Sequence, residues 1–134
     1  MPEPLVSYWN AWNEPDVESV ARHLVAAVTE DVEWNDPRDS FTGIAALEAA
    51  IRRLREHRPD ARFVMASEVD HHHRRLRYRW DMVRRGRTLM EGLDVVTLDV
   101  AGGLLCRIDG FFGEPTPIHA EHSGVPSDLR RPLE

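Results

Sequence analysis

Asp36 is the first side chain whose type and position suggest chemistry. It closes the short stretch Val32-Glu33-Trp34-Asn35-Asp36, where strand-like alternation places it on the same face as Val32 and Trp34. A carboxylate among apolar side chains loses water and binds a proton more tightly, as a general base requires. The alternative is structural, because Pro37 follows directly and the aspartate of an Asp-Pro pair often caps a turn. The sequence leaves both interpretations open.

Asp94 is the second candidate, and it lies within a long stretch predicted to be a strand. A period of two groups it with four residues of an apolar face, Met90, Gly92, Val96 and Leu98. An acid on such a face needs a partner or must stay protonated. A protonated carboxyl can donate a hydrogen bond to the oxygen of a developing enolate. The alternative is a structural aspartate bonded to a core tyrosine or tryptophan.

Tyr8 is the third candidate. Leu5, Tyr8, Trp9 and Trp12 recur at spacings of three and four, so the tyrosine ring belongs to the buried stripe of a helix. Its ring is therefore expected to be buried whatever its hydroxyl does, and a core aromatic is the commoner fate of such a residue. A base, an acid and a phenol are the groups needed to remove a proton from carbon next to a carbonyl without a metal or cofactor.

Three helices followed by a run of strands would position these side chains. Apolar periodicity predicts helices over residues 4–13, 16–28 and 44–58, with a short strand over 32–36 between the second and third. Alternation then predicts four antiparallel strands over 62–69, 75–82, 88–99 and 104–112, joined by tight turns. This order predicts a single α+β domain over 1–134, in which a curved, mainly antiparallel sheet carries the helices on one face. Residues 113–134 are rich in proline and predicted to form a loosely ordered tail.

Composition excludes several classes of function. The formal net charge is −6, with 23 acidic side chains against 17 basic ones, all of them arginine, which argues against a nucleic-acid surface. The absence of lysine excludes Schiff-base chemistry and a phosphate-binding P-loop. No apolar run approaches the ~20 residues of a membrane span, and Met-Pro-Glu-Pro does not resemble a signal peptide. With Cys106 as the only cysteine, these features predict a soluble cytoplasmic protein.

The order of these elements and several short motifs resemble the nuclear-transport-factor-2-like superfamily, in particular the SnoaL-like polyketide cyclases and the ketosteroid isomerases. The resemblance covers roughly residues 5–119. It is carried by Tyr8-Trp9-Asn10-Ala11-Trp12-Asn13, Asp31-Val32-Glu33-Trp34-Asn35-Asp36-Pro37, Thr42-Gly43, Glu91-Gly92-Leu93-Asp94 and Phe111-Phe112-Gly113-Glu114.

The resemblance implies a cystatin-like α+β fold, a cone-shaped barrel of curved, mainly antiparallel sheet with three N-terminal helices on its concave face. It also implies a role for each candidate. In ketosteroid isomerases the position matching Asp36 is the proton-shuttling base, and those matching Asp94 and Tyr8 donate to the substrate oxygen. The implied protein is a cofactor-independent isomerase or aldol cyclase, without a metal, acting on a small apolar carbonyl compound of steroid or polyketide type. A homodimer is also implied.

Two other functions stay open. The first is hydration or epoxide opening, in which two carboxylates and an arginine activate water. Arg77, Arg79 and Arg107 could supply the arginine, but alternation places the first two on the face opposite Tyr78 and Trp80. The second is a non-catalytic domain that binds a small ligand or a partner through its sheet.

The remaining motifs are expected either to line the pocket or to be structural. The substrate pocket is predicted to be lined by Trp9, Trp12, Trp34, Trp80, Met90 and Phe112. His71-His72-His73 is predicted to form a solvated hairpin, since neighbouring strand residues point in opposite directions and cannot easily share one metal ion. The arginines of 74–79 and 84–87 are expected on a solvated outer face. Cys106 is expected to be an inert buried thiol on the same face as Leu104 and Ile108.

Overall fold

The computed structural model describes residues 1–119 and 121–131. Three helices form: α1 (Glu3–Trp12), α2 (Val20–Ala27) and α3 (Ile44–His57). The seven strands are β1 (Val28–Asn35), β2 (Ser40–Thr42), β3 (Arg62–Met65), β4 (Asp70–His72), β5 (Arg75–Arg84), β6 (Arg87–Leu98) and β7 (Leu105–Phe112). Short 3-10 turns occur at Val17–Ser19 and Ser127–Leu129.

One curved sheet contains all seven strands. Its order is β2-β1-β7-β6-β5-β3, and β4 also pairs with β5. Every pairing is antiparallel except that of β1 with β7, which is parallel. The helices cover the concave face, as predicted, and the core between the two layers is formed by Leu5, Leu24, Leu47, Ile51, Leu76, Tyr78, Val96, Leu105 and Ile108. The predicted cone-shaped α+β architecture is therefore confirmed.

The second helix is shorter than its periodicity predicts. The Asp16 carboxylate accepts the backbone N–H of Glu18, as a cap should, but it begins a 3-10 turn rather than the helix. At the other end Val28 leaves the helix and pairs with Leu105 of β7. The prediction that Val28 is helical was wrong. A β-branched residue favours the extended conformation, and the Val28 backbone is paired with β7 instead of continuing the helix.

Two strands were missed, each of only three residues. β2 lies at the edge of the sheet beside β1, and β4 forms a hairpin with β5. The turn of that hairpin places His73 and Arg74 at positive φ, and the three consecutive histidines are exposed, as predicted for a solvated hairpin. The expected loosely ordered tail falls partly on residues 120 and 132–134, which lie outside the described residues.

A buried arginine ties three elements together. Arg55 in the last turn of α3 is 5% exposed, and its guanidinium donates to the carbonyl oxygens of Trp12, Pro59 and Ala61. Burial lowers the pKa of this guanidinium, with a contribution from nearby Arg62. The bonds join the ends of α1 and α3 to the chain entering β3. Within the described ranges, no helix is long and apolar enough to cross a membrane.

Candidate active site

A cavity of about 560 Å³ opens between the helices and the sheet. All nine residues predicted from sequence to act on or bind the ligand line it: Tyr8, Trp9, Trp12, Trp34, Asp36, Trp80, Met90, Asp94 and Phe112. Phe63, Leu54 and Met82 add to the apolar wall. The volume lies within the range of small-molecule sites in proteins, and each tryptophan of the chain lines the cavity.

Asp94 projects from the middle of β6 and is held by two aromatic donors. The Tyr78 hydroxyl donates to Oδ2 at 2.9 Å, and the Trp80 indole N–H donates to Oδ1 at 3.0 Å. Burial raises the pKa of Asp94 to about 6, although both donors act in the opposite direction and the nearby Asp36 adds to the rise. A carboxyl with this pKa is half protonated at about pH 6, whereas an aspartate in water is almost fully ionised there.

Glycine at position 92 allows Trp80 to reach Asp94. Gly92 pairs with Trp80 across β5 and β6, and the indole ring lies directly over it. A β-carbon at this position would be 2.1 Å from the ring and 2.7 Å from its nitrogen, a distance at which something must move. Any side chain at position 92 would therefore displace the indole that binds Asp94.

Asp36 follows the end of β1 and belongs to a tight turn. Its Oδ1 accepts the backbone N–H groups of Arg38 and Asp39, both at 2.8 Å. The turn-capping role that the sequence left open is therefore present. Oδ2 has no hydrogen-bond partner among the described residues, and the side chain is only partly buried on the cavity wall. Capping and ligand contact use different oxygens and do not exclude each other.

The two aspartates approach one another across Gly110, which pairs with Asp94 in the β6–β7 register. A β-carbon on Gly110 would be 3.0 Å from Asp94 Oδ1 and 3.6 Å from the β-carbon of Asp36. The absence of a side chain at this position is what lets both acids share one region of the cavity.

Tyr8 lies on the buried face of α1 with 3% exposure. Its hydroxyl oxygen accepts the indole N–H of Trp34 at 3.0 Å. Burial raises the pKa of this phenol, and the negative charges of Asp94 and Asp36 add to the rise. The phenol therefore stays protonated at neutral pH. Because its oxygen is occupied as an acceptor and no described residue accepts its proton, the O–H is available to a ligand.

Arginines at the mouth of the cavity were not recognised from the sequence. Arg38, Arg53 and Arg58 line it, together with His57, and all four are exposed. Arg53 and Arg58 lie outside the apolar stripe of the third helix, where exposed arginines are ordinary solvated side chains. The available signal was the spacing of Ala50, Arg53 and His57 at three and four residues, which defines a second helical face beside the core stripe.

The other candidate arginines lie elsewhere. Arg77 pairs with Asp70, Arg79 with Glu114, and Arg107 with Glu33 and Asp109, all away from the cavity.

Cys106 does not share the buried face of β7, which holds Leu105 and Ile108 instead. The reason is an irregularity in the β6–β7 register between Thr97 and Leu98. The thiol is only partly buried and donates to the Thr97 carbonyl, and burial raises its pKa. In the ranges 1–119 and 121–131, no three His, Cys, Asp or Glu side chains come together as a metal site would require.

A curved sheet with three helices packed on it and a cavity between them is the architecture of the cystatin-like fold. Residues 5–108 match the SnoaL-like domain family. The chain belongs to that family, and the resemblance found in the sequence is confirmed.

Solved structures of related proteins agree with this assignment. A protein of Agrobacterium tumefaciens, provisionally called an isomerase of the SnoaL-like family, is 29% identical with a TM-score of 0.76, over 83% of this chain and 95% of that one. A protein of Kribbella flavida, provisionally called a ketosteroid isomerase, is 19% identical with a TM-score of 0.59, over 96% and 91%. A cystatin-like protein of unknown function from Methylobium petroleophilum is 17% identical with a TM-score of 0.70, over 89% and 79%. The last two show the fold alone. No curated protein sequence matches.

Proposed function

We propose that this protein is a cofactor-independent acid–base enzyme acting on a small apolar carbonyl compound, as an isomerase or an aldol-type cyclase. One observation carries the proposal: two carboxyls and a protonated phenol line a single aromatic cavity, with both carboxyls next to Gly110. These are the groups that enolisation requires.

Asp36 is the proposed base. Its Oδ1 is held by two backbone N–H groups, which orient the carboxylate, while Oδ2 is unpaired among the described residues. Oδ2 would take the proton from the carbon next to the carbonyl. The electrons of the broken C–H bond then form the C=C bond of an enolate, and the negative charge moves to the substrate oxygen.

Asp94 and Tyr8 are the proposed donors to that oxygen. The phenol has a free O–H, and the raised pKa of Asp94 keeps part of its population protonated near neutral pH. The enolate would then take back the proton at another carbon, which completes an isomerisation, or attack a second carbonyl, which closes a ring. The aromatic wall strengthens these hydrogen bonds by excluding water.

Enolisation can be tested before the natural substrate is known. Deuterium exchange at the α-carbon of 1-tetralone in D₂O, followed by NMR, should be faster with the protein than in matched buffer. Asp36→Asn should lower the enzymatic rate at least a hundredfold, because general-base catalysis contributes about 10² to 10⁴. Isomerisation of a β,γ-unsaturated ketone gives a second readout. Equal rates for the wild type and Asp36→Asn would reject the base assignment.

The pH dependence separates the roles of the two acids. If Asp94 acts as the protonated donor, kcat/KM should fall as the pH rises through about 6, the pKa of this carboxyl. If Asp94 were the base instead, kcat/KM would rise through the same pH. The profile of Asp94→Asn should lack this limb in either case.

Hydration or epoxide opening needs a guanidinium beside the carboxylates, and Arg38, Arg53 and Arg58 line the same cavity, so this alternative stays open, although no guanidinium of the described residues bonds to Asp36 or Asp94. Asp94 is bonded to Tyr78 and Trp80, and Asp36 to backbone N–H groups. A non-catalytic binding role predicts that no exchange is accelerated. The homodimer and the cytoplasmic location expected from the sequence remain predictions, the first open to analytical ultracentrifugation.

A further inference from the structure

The mouth of the cavity carries three arginines, Arg38, Arg53 and Arg58, that form no salt bridge with a carboxylate of the described residues. Arg53 and Arg58 form no ion pair and no side-chain hydrogen bond with any residue that the structure describes. The Arg38 guanidinium lies 5.3 Å from the ring centroid of Phe112, a cation–π contact that leaves its N–H groups available. His57 adds a fourth basic group at the mouth, and Asp39 is the exposed acid among the lining residues.

Some arginines on other surfaces of the protein are paired: Arg52, the residue before Arg53 in α3, bonds to Glu18 and Glu48, and Arg84 bonds to Asp60. Others, such as Arg22 and Arg87, form no ion pair with any described residue. The Arg84 hydrogen bond lowers the pKa of Asp60, as expected for a neutralised pair. The molecule has a net charge of −6, so three arginines around one cavity are a local concentration of positive charge, although Asp36, Asp39 and Asp94 line the same cavity.

Helix geometry explains why these cations meet the cavity. Ala50, Arg53, Leu54 and His57 recur at three- and four-residue spacing, and all of them line it. Ala50 and Leu54 are partly buried, whereas Arg53 and His57 are exposed. A ligand that lies along this face therefore passes from apolar to cationic surroundings.

We propose that the ligand is an amphiphilic acid, with an apolar ring system among the tryptophans and a carboxylate bound at the mouth by Arg38, Arg53 and Arg58. This inference rests on the proposed function, since it describes the substrate class of the same site. In this arrangement the arginines at the mouth orient the ligand by its charge. The interior holds its carbonyl group next to Asp36, Asp94 and Tyr8.

Binding measurements test this separately from turnover. Isothermal titration calorimetry would compare 2-naphthylacetate with 2-naphthylacetamide, which has nearly the same shape but no charge. The wild type should prefer the carboxylate by about tenfold, and added salt should weaken only the carboxylate. Arg53→Gln and Arg58→Gln should each reduce the preference by about two- to fivefold, the range for an exposed charge pair. Arg22→Gln, an exposed helix arginine outside the cavity, is the matched control and should leave it unchanged.

The outcomes distinguish the two proposals. Equal affinities of the wild type for the two ligands, or an unchanged preference in the Arg53→Gln/Arg58→Gln double variant, would overturn the inference about the mouth. A preference that depends on these arginines without any accelerated exchange of 1-tetralone would support the inference and contradict the proposed catalysis. If neither ligand bound, the inference about the mouth would be wrong, and the exchange of 1-tetralone would still decide the proposed catalysis. Circular dichroism melts would confirm that each variant is folded.

Discussion

Replacing Asp94 by asparagine should change how the stability of this protein depends on pH. Burial gives the Asp94 carboxyl a pKa of about 6 in the folded state, against 3.8 for an aspartate in water. The folded state therefore binds this proton more tightly than the unfolded state. The stabilisation from proton binding is complete below pH 3.8 and is lost as the pH rises through 6, because the folded protein must then bury a charge. Asparagine has nearly the same shape and does not ionise.

The expected magnitude follows from the two proton affinities. Each tenfold difference is worth about 1.4 kcal/mol, so the rise from 3.8 to about 6 corresponds to at most about 3 kcal/mol, since part of the carboxyl faces the open cavity. Between pH 4.5 and 7.5, the free energy of unfolding of Asp94→Asn should rise relative to the wild type by about 2 kcal/mol.

Urea denaturation at a series of pH values measures this difference. The other carboxyls are present in both proteins, so their contributions cancel when the two curves are subtracted. A difference that stays constant within about 0.5 kcal/mol from pH 4.5 to 7.5 would refute the reasoning, because Asp94 would then titrate alike in the folded and unfolded states. The ¹³Cγ chemical shift of Asp94 would report the same pKa directly.

Three further substitutions follow from the same contacts. Tyr8→Phe should lower kcat in the exchange assay about 10- to 1,000-fold by removing a donor to the enolate. It should destabilise the fold by only about 1–2 kcal/mol, since the Trp34 indole N–H loses its acceptor. Equal kcat values for the two proteins would contradict the role of the phenol. Gly92→Ala should displace the Trp80 indole and raise the pKa of Asp94, which NMR titration would detect, and an unchanged pKa would mean that the indole can remain in place. Arg55→Lys should lower the free energy of unfolding, measured by urea denaturation, by about 2–4 kcal/mol, because an ammonium cannot reach three carbonyls in the fork geometry of a guanidinium. A decrease below about 0.5 kcal/mol would show that these bonds contribute little to stability.

Long periodic elements could be predicted from the sequence, and short ones could not. The alternation of apolar residues with arginines correctly predicted the buried face of β5, which holds Leu76, Tyr78, Trp80 and Met82. When one face of a strand is buried and the other is solvated, a shift by one residue would expose every apolar side chain, so the pattern fits only one orientation. β2 and β4 have three residues each, too few for a period to appear. Their existence depends on pairing with β1 and β5, which is information from distant parts of the chain.

The site was predictable in its members but not in its bonds. Reading along one strand face placed Asp94 among apolar side chains, and the sequence left open a bond to a core tyrosine or tryptophan. The structure contains both, because the β5–β6 register puts Tyr78 opposite Asp94 and Trp80 opposite Gly92. That register includes an irregularity between Met82 and Val83, which no pattern within a single strand can reveal. The cations at the mouth were missed for a different reason: a helix has more than two faces, and exposed arginines resemble ordinary solvated charges.

The anchoring of α3 by Arg55 has a consequence for how relatives of this protein could diverge. The three carbonyl oxygens that Arg55 binds belong to the main chain, so the frame around the entrance depends on no side chain that a ligand would contact. Residues at 53, 57 and 58 can therefore be exchanged while the opening keeps its shape. Ligand preference in such a scaffold can change by surface substitutions alone, without compensating changes in the folded core.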